Sequence, residues 1–162
     1  MEAGGIFVAV GAVIEDEGGR VLLVKHVPER GGFWQGKWIC PGGRLNLGES
    51  IEQGIKREVW EETGLEISLT TPLVPFERIV KDRGETSLHV IYIDYLAKLA
   101  GGELKTGSDV GEAIWVNRED ISQIWEELHD DTKRLLEIAE MVFGSREGKG
   151  KSSAKLEVRS SL

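Results

Sequence analysis

The chain has 162 residues, of which 40% are hydrophobic and 30% are charged, and its formal net charge is −8 at pH 7. This length fits one compact domain, and the acidic balance disfavours broad binding of nucleic acids, whose phosphates it would repel. The apolar runs are shorter than the roughly 20 residues needed to span a bilayer, so we expect no membrane segment. Cys40 has no disulfide partner and no basic, apolar leader opens the sequence, which predicts a cytoplasmic protein.

A change of composition near Gly144 divides the chain. We predict a single folded domain over residues 1–143 and a basic tail, rich in Ser and Lys, over residues 144–162. We expect the tail to be loosely attached, with an edge strand at residues 156–158 as the alternative.

The predicted elements begin with two strands. Residues 6–14 and 21–27 are rich in Val and Ile, and the turn-like residues 15–20 between them predict antiparallel pairing. We then predict a glycine-rich loop over residues 28–36, a short strand over 37–40 and a break over 41–43.

A helix follows, with a clear start and end. Ser50 is a candidate N-cap, Gln53 completes a capping box, and Gly64 suits the position after the last turn, so we predict a helix over residues 51–63. We further predict strands over residues 65–69, 76–80, 88–99 and 113–116, a hairpin tip over 81–85, and helices over 117–128 and 131–143. This order predicts an α/β fold, with a mixed central sheet covered by helices on both faces.

The first helix breaks its own amphipathic pattern. At about 100° per residue, Glu58 and Glu62 continue the apolar stripe that Ile55 belongs to, and Glu61 lies beside them. Burying unpaired carboxylates is costly, so a cation should meet them. The alternative is an ordinary solvated face, with Lys56 and Arg57 as partners.

The oxygen-rich character of this segment indicates the kind of cation. Carboxylates on a rigid helix, together with backbone carbonyls of Gly42 and Gly43, form the hard donor set that Mg²⁺ or Mn²⁺ prefers. Zinc is disfavoured because Cys40 is alone and the three histidines, His26, His89 and His129, lack ligand spacing.

The same segment resembles a family signature. Gly43, Glu49, Arg57, Glu58, Val59, Glu61, Glu62, Gly64 and Leu65 fill every fixed place of the pattern G-x5-E-x7-R-E-U-x-E-E-x-G-U, where U is aliphatic. This pattern resembles the Nudix box, and the order of the flanking elements resembles the Nudix α/β/α sandwich over residues 6–143.

The resemblance implies a metal-dependent hydrolase and assigns roles by position. It implies that Glu58, Glu61 and Glu62, with the Gly42 carbonyl, bind the metal, and that Arg57 orients a neighbouring glutamate. Glu49 is implied to hold metal or order the loop. Two candidates for the general base stay open: Glu58, and Glu112, which precedes a predicted strand where many relatives carry an extra acidic residue.

Substrate contacts are predicted around the glycine-rich loop and one strand. Trp34 can stack on a base or pack internally, and Gly43 lies where the substrate would meet the box. Arg78 can hold a phosphate, with a surface salt bridge as the alternative reading. Trp38 is predicted to belong to the core and His89 to be a satisfied residue of the sheet.

The resemblance implies hydrolysis of a nucleoside diphosphate linked to another moiety, of the NDP-sugar or ADP-ribose type, releasing a nucleoside monophosphate. The alternatives are a nucleoside triphosphate pyrophosphatase of the nucleotide-sanitising type and a non-catalytic nucleotide-binding module. A Pro or Tyr about sixteen residues past the box, often present in relatives that favour ADP-ribose, is absent or displaced here. We expect a small nucleotide as partner, no membrane and no nucleic acid, and a homodimer stays open because the family often dimerises.

Overall fold

The computed structural model describes residues 5–147, so the predicted tail beyond residue 147, including the alternative strand at 156–158, lies outside the described residues. These residues form a seven-stranded sheet with helices on both sides. The strands are β1 (Phe7–Glu15), β2 (Arg20–His26), β3 (Gly42–Arg44), β4 (Leu65–Pro72), β5 (Phe76–Asp82), β6 (Glu85–Gly102) and β7 (Val110–Asn117). The helices are α1 (Ile51–Thr63) and α2 (Asp130–Glu147), with two 3₁₀ helices at Pro28–Arg30 and Arg118–Glu127.

The sheet is mixed, as predicted. The order β4-β6-β1-β2-β7 forms its main path, with β3 paired to β1 and β5 paired to β6. The pair β1 and β6 is parallel, whereas the other pairings are antiparallel. Parallel pairing between β1 and β6 places Gly11 opposite Asp94 and Ala9 opposite Tyr92 in the middle of the sheet.

Two apolar clusters separate the faces of the sheet. One face packs against α1 through Ile55 and Val59, which are fully buried with Val10 and Ile14 of β1. The other face packs against α2 and the second 3₁₀ helix, and its buried cluster includes Val13, Leu23, Trp38, Leu96, Leu128, Leu135 and Leu136. Alternate residues of β1 therefore face opposite helical layers, which confirms the predicted α/β sandwich and the core position of Trp38.

The hairpin tip predicted around residues 81–85 is present. Arg83 and Gly84 connect β5 to β6, and both have positive φ, 55° and 82°. Two central residues with positive φ are typical of the tight hairpin turns whose twist matches that of the strands. Among residues 5–147, no helix has the length and hydropathy needed to cross a bilayer.

Two predicted elements differ from the structure. The strand lies at Gly42–Arg44, where a break was predicted, while residues 37–40 contribute only isolated bridges at Trp38 and Ile39. The two glycines permit this pairing, because a Cβ at Gly42 would lie 2.4 Å from the Val10 carbonyl oxygen. The segment 117–128 is a 3₁₀ helix broken at Ile124, not an α-helix, and its i, i+3 apolar spacing suits both helix types.

Candidate active site

Helix α1 is fixed at both ends by local interactions. The Ser50 side chain accepts a hydrogen bond from the Gln53 backbone N–H, and the Gln53 side chain accepts one from the Ser50 N–H. Gly64 ends the helix in the left-handed conformation, with φ 73° and ψ 9°. The predicted capping box and C-terminal glycine are therefore confirmed, and they set the rotation of α1 relative to the sheet.

Arg57 gathers three carboxylates of the Nudix-like segment. Its Nε and Nη2 donate to the two oxygens of Glu49, at 2.5 and 3.0 Å. Its Nη1 donates to Glu58 at 3.0 Å and to Glu61 at 3.2 Å, and Nη2 also reaches the Arg44 carbonyl at 3.1 Å. The planar guanidinium thus holds the box acids and strand β3 in one arrangement.

Two acids of α1, Glu58 and Glu62, also contact the glycines of β3. Glu62 is buried and accepts a hydrogen bond from the Gly42 N–H at 3.1 Å. The Glu58 carboxyl group packs directly over Gly43, where an added Cβ would lie 2.4 Å from its carboxyl carbon. Glu58 and Glu62 therefore converge on the glycine bend and are not splayed into solvent.

Burial and mutual repulsion set the acidity of these side chains. Burial, and then the charge of Glu62, raise the pKa of Glu58, although Arg57 opposes the shift. Burial likewise raises the pKa of Glu62. By contrast, the hydrogen bonds from Arg57 lower the pKa of Glu49 to about 2. A bound cation would offset the burial and repulsion that raise the pKa values of Glu58 and Glu62.

The residues present suit a hard divalent cation. Glu58, Glu61, Glu62 and the Gly42 carbonyl offer oxygen donors only, and the side chain missing at Gly43 leaves room for the Glu58 carboxyl group. Within residues 5–147, no three acidic, His or Cys side chains meet as a ready ligand group. The contacts above give the reason, since Arg57 draws Glu58 and Glu61 while the Gly42 N–H draws Glu62.

His26 is a site residue that the sequence did not single out. It is buried, and its Nε2 lies 3.8 Å from Glu62 Oε2, while Arg30 Nη1 lies 2.9 Å from its Nδ1. It ends β2 at a register shift between Lys25 and His26. That irregularity turns a histidine without ligand spacing toward a box acid.

A cavity of about 430 Å³ lies on the sheet face opposite α1, and Gly42 and Gly43 belong to its lining. Its size is within the range of small-molecule sites. Four aromatic side chains contribute to the wall: Phe7, Trp34, Phe76 and Tyr92. Charged or acidic groups reach it from five further residues, namely His26, Arg30, Arg44, Asp94 and Asp131.

A hydrogen-bonded network closes one wall of this cavity. The Trp34 Nε1–H donates to the Tyr92 hydroxyl at 2.8 Å, and the Tyr92 hydroxyl donates to buried Asp131. Arg78 donates to the same carboxylate through Nε, at 2.8 Å, and Nη2, at 2.5 Å. Phe76 stacks on Tyr92, with ring centroids 4.8 Å apart.

The structure brings some predicted site residues together and leaves others apart. Trp34 and Gly43 line the cavity, and the box acids meet the glycine bend on its other side. Arg78 does not line the cavity and is committed to Asp131, which agrees with the salt-bridge alternative. Glu112 is exposed on β7 opposite Lys25, so its placement gives no support to a role as general base.

Tyr92, Asp94 and Asp131 complete the cavity but were not predicted as site residues. A usable signal existed for two of them, because Tyr92 and Asp94 are two residues apart in a predicted apolar strand and so share one face. A polar residue on the buried face of such a strand calls for an explanation. Asp131 gave no such signal, since acidic residues are common in the first turn of a helix.

Comparisons with known proteins agree with this geometry. The family described as the NUDIX domain matches residues 5–137. An ADP-ribose pyrophosphatase from Methanocaldococcus jannaschii is 36% identical over 107 residues, which cover 65% of this chain and 59% of that protein. The nucleoside triphosphatase NudI of Escherichia coli is 32% identical over 109 residues, covering 64% of this chain and 77% of that protein.

A solved structure shows the same architecture. The MutT NUDIX hydrolase from Burkholderia pseudomallei superposes with a TM-score of 0.67 at 26% identity, covering 83% of this chain and 98% of that one. The region matched by the NUDIX family model, residues 5–137, contains both the α1 carboxylates and the residues that line the cavity.

Proposed function

This chain belongs to the Nudix hydrolase family, which acts on phosphoanhydride bonds, and from that premise we propose that its substrate is a nucleoside diphosphate linked to another moiety. The products are a nucleoside monophosphate and the phosphorylated partner. One observation carries the proposal: an aromatic-walled cavity and a cluster of box acids share the glycines of β3. A base held in the cavity would extend its diphosphate toward the carboxylates.

The proposed roles of the box residues follow from their contacts. Glu58, Glu61, Glu62 and the Gly42 carbonyl would hold Mg²⁺ or Mn²⁺, which would supply charge neutralisation for the phosphates and make water a better nucleophile. Arg57 and Glu49 keep the carboxylates in position through the paired hydrogen bonds described above. Because Gly42 and Gly43 have no side chains, the diphosphate of the substrate could approach the β3 backbone closely.

Glu58 is the proposed general base. It takes a proton from the attacking water as the new oxygen–phosphorus bond forms and the anhydride bond breaks, leaving the second phosphate as the departing group. Its position over Gly43 and its raised pKa support this role over Glu112, which is exposed. A positioned base of this kind contributes about 10²–10⁴ in rate.

A nucleoside triphosphate pyrophosphatase is the second candidate. Two arginines, Arg30 and Arg44, line the cavity and supply positive charge that a longer phosphate chain would require. The similarity to NudI, named a nucleoside triphosphatase, favours the triphosphate substrate. The similarity to the archaeal ADP-ribose pyrophosphatase favours the linked diphosphate to the same degree. The products distinguish the two, since only a triphosphate releases pyrophosphate.

The test is a substrate panel of ADP-ribose, NDP-sugars and nucleoside triphosphates, with Mg²⁺ or Mn²⁺, in which products are separated by chromatography. We expect the wild type to release a nucleoside monophosphate, and Glu58→Gln to lose about 10²–10⁴ in kcat while retaining its thermal midpoint. Glu52→Gln is the matched control, because Glu52 is an exposed acid of the same helix. A folded wild type that hydrolyses none of these compounds would replace the proposal with a nucleotide-binding module.

A further inference from the structure

Asp94 is a buried acid of the cavity wall. It is only 7% exposed and belongs to the cavity lining, two residues after Tyr92 on the same face of β6. Within residues 5–147, its side chain makes no hydrogen bond or ion pair, and only its backbone carbonyl is used, by the Leu73 N–H at 2.9 Å. A buried carboxyl group of this kind is rare in a folded protein.

The other acid of the cavity is already satisfied. Asp131 accepts hydrogen bonds from Arg78 and Tyr92, and the Tyr92 hydroxyl in turn accepts from Trp34. His26 is in contact with Arg30. The unfilled hydrogen-bonding capacity of an acid facing this cavity therefore belongs to Asp94.

The backbone is shaped to make room for this side chain. Gly11 lies opposite Asp94 in the parallel pairing of β1 and β6, and a Cβ at Gly11 would lie 2.8 Å from Asp94 Oδ1. The same Cβ would lie 2.6 Å from the Pro41 carbonyl oxygen. Only glycine at position 11 leaves the carboxyl group undisturbed at the floor of the cavity.

Keeping such a group costs stability. Burial raises the pKa of Asp94 to about 7. Mutational data place the burial of an unsatisfied polar group at about 1–3 kcal/mol. Groups that a fold retains in this state inside a cleft are candidates for function, because a ligand can supply the missing partner.

We propose that Asp94 selects the nucleobase, by accepting a hydrogen bond from the exocyclic amino group of adenine, cytosine or guanine. The inference rests on the proposed function, since it takes the cavity as the place of the base. The aromatic side chains Trp34, Phe76 and Tyr92 supply apolar contact to the ring, and Asp94 supplies the polar discrimination. A keto oxygen in place of the amino group would meet the ionised carboxylate, which has no proton to donate, with a second acceptor.

The expected selectivity is large because the Asp94 side chain is buried. A hydrogen bond to a charged group is worth about 1.5–3 kcal/mol, and a site built to bond a donor rejects an analogue that leaves its polar group unpaired. Uracil, thymine and hypoxanthine nucleotides should therefore bind at least about tenfold more weakly than their amino-bearing counterparts.

The experiment measures binding of nucleoside monophosphates by calorimetry at about pH 8.5, where a carboxyl group with a pKa of about 7 is ionised, and it does not require turnover. The pairs AMP and IMP, GMP and IMP, and CMP and UMP each compare an amino-bearing base with its deaminated or amino-free counterpart. The variants are Asp94→Leu, which removes the acceptor, and Asp94→Asn, whose amide can also donate to a keto oxygen. Asp82→Asn is the matched control, because Asp82 lies at the exposed hairpin end of the neighbouring strand.

We expect the tightest wild-type ligand to carry an amino group and to exceed its counterpart by at least about tenfold. This ratio should fall to within about threefold in Asp94→Leu, fall by at least about fivefold in Asp94→Asn, and stay unchanged in Asp82→Asn. If Asp94→Leu does not fold, Asp94→Asn alone decides. A wild type that prefers a keto base, or binds no nucleotide, overturns the inference, as does an Asp94 variant with an unchanged ratio.

The two proposals fail in different ways. Hydrolysis of the substrate panel with a base preference that ignores Asp94 overturns the inference and leaves the proposed function intact. A base preference that depends on Asp94, in a protein that hydrolyses nothing, supports the inference and removes the proposed function.

Discussion

The two sides of the β3 glycines differ in how completely their acidic side chains are paired within residues 5–147. On the α1 side, Glu49, Glu58 and Glu61 share the Arg57 guanidinium. On the cavity side, Asp94 has no side-chain partner within residues 5–147, although it is more deeply buried than any of these three.

This difference suits the two sides to different tasks: one positions catalytic groups, and the other discriminates between ligands. A carboxylate already held by arginine and backbone N–H groups loses little freedom when a cation arrives, which favours a fixed catalytic geometry. A carboxyl group left unpaired cannot be stabilised until a ligand offers a donor, which favours discrimination between ligands. If both proposals hold, the α1 side would serve any phosphoanhydride substrate, whereas the cavity side would distinguish one base from another.

The largest expected effect comes from loosening the α1 side with Arg57→Lys. Lysine keeps the charge but cannot make the two parallel hydrogen bonds to Glu49 or reach Glu58 and Glu61 together. We expect kcat/KM to fall about 100-fold, the typical result of misplacing catalytic groups by about 1 Å. Steady-state kinetics on the best substrate of the panel measures it.

The control for this change is Lys56→Gln, which removes the exposed cation beside Arg57 in the same helix. Its kcat/KM should match that of the wild type within about threefold, since isolated surface charges contribute little. If kcat/KM of Arg57→Lys also stays within about threefold of the wild type, charge alone holds the box acids and the paired hydrogen bonds of the guanidinium are not needed.

The next largest effect tests the cavity side through Gly11→Ala. The new Cβ would lie 2.6 Å from the Pro41 backbone oxygen and 2.8 Å from Asp94. Overpacking of this kind costs about 1–3 kcal/mol, and we expect the free energy of unfolding to fall by that amount in chemical denaturation. Gly18→Ala is the control, because its Cβ would meet the nearest atom at an ordinary 3.6 Å. Equal stability of the two variants would show that β1 and β3 separate without strain.

Much of the α1 side could be predicted from the sequence because its signals are local. The capping box, the terminal glycine and the box acids lie within Gly43 to Leu65, so their spacing along one helix fixes their directions in space. The carboxylates at Glu58 and Glu62 interrupt an apolar stripe, which is visible without any knowledge of the fold. Both do converge on the glycine bend.

The cavity side could not be predicted because distant segments create it. The Tyr92 hydroxyl meets Trp34 and Asp131, which are 58 and 39 residues away in sequence. Arg78 was a candidate for a phosphate contact or a salt bridge, and the salt-bridge partner comes from a helix 53 residues further on. The strand at β3 was missed for a related reason, since glycine has low strand propensity and its pairing depends on close approach to β1.

An effect of similar size concerns the dependence of stability on pH, and Asp94→Asn isolates it. The folded-state pKa of Asp94 is about 7, above the ordinary aspartate value of about 3.9, because burial disfavours the charged form. Between these values the folded protein binds more protons at this site than the unfolded chain, so the contribution of Asp94 to stability falls as pH rises from about 4 to 7. We expect Asp94→Asn to gain about 1–3 kcal/mol at pH 8 and little at pH 4.

Thermal unfolding of both proteins across this pH range measures the difference. The other titratable or charged groups of the cavity are present in both proteins, so they cancel in the comparison; they are His26, Arg30, Cys40, Arg44, Tyr92 and Asp131. A gain that is the same at pH 4 and pH 8 would mean that the carboxyl group keeps an ordinary acidity.

The smallest effect is expected from Ser50→Ala, which removes the N-cap of α1. The side chain that accepts from the Gln53 N–H is lost, and caps of this kind contribute about 1 kcal/mol to stability. The buried contacts of Ile55 and Val59 and the Arg57 network remain, so kcat/KM should change less than about threefold. Ser50→Asp, which restores an acceptor at the same place, should recover the lost stability in chemical denaturation. A large loss of activity in Ser50→Ala, reversed in Ser50→Asp, would instead show that the cap itself aims the box acids at the glycine bend.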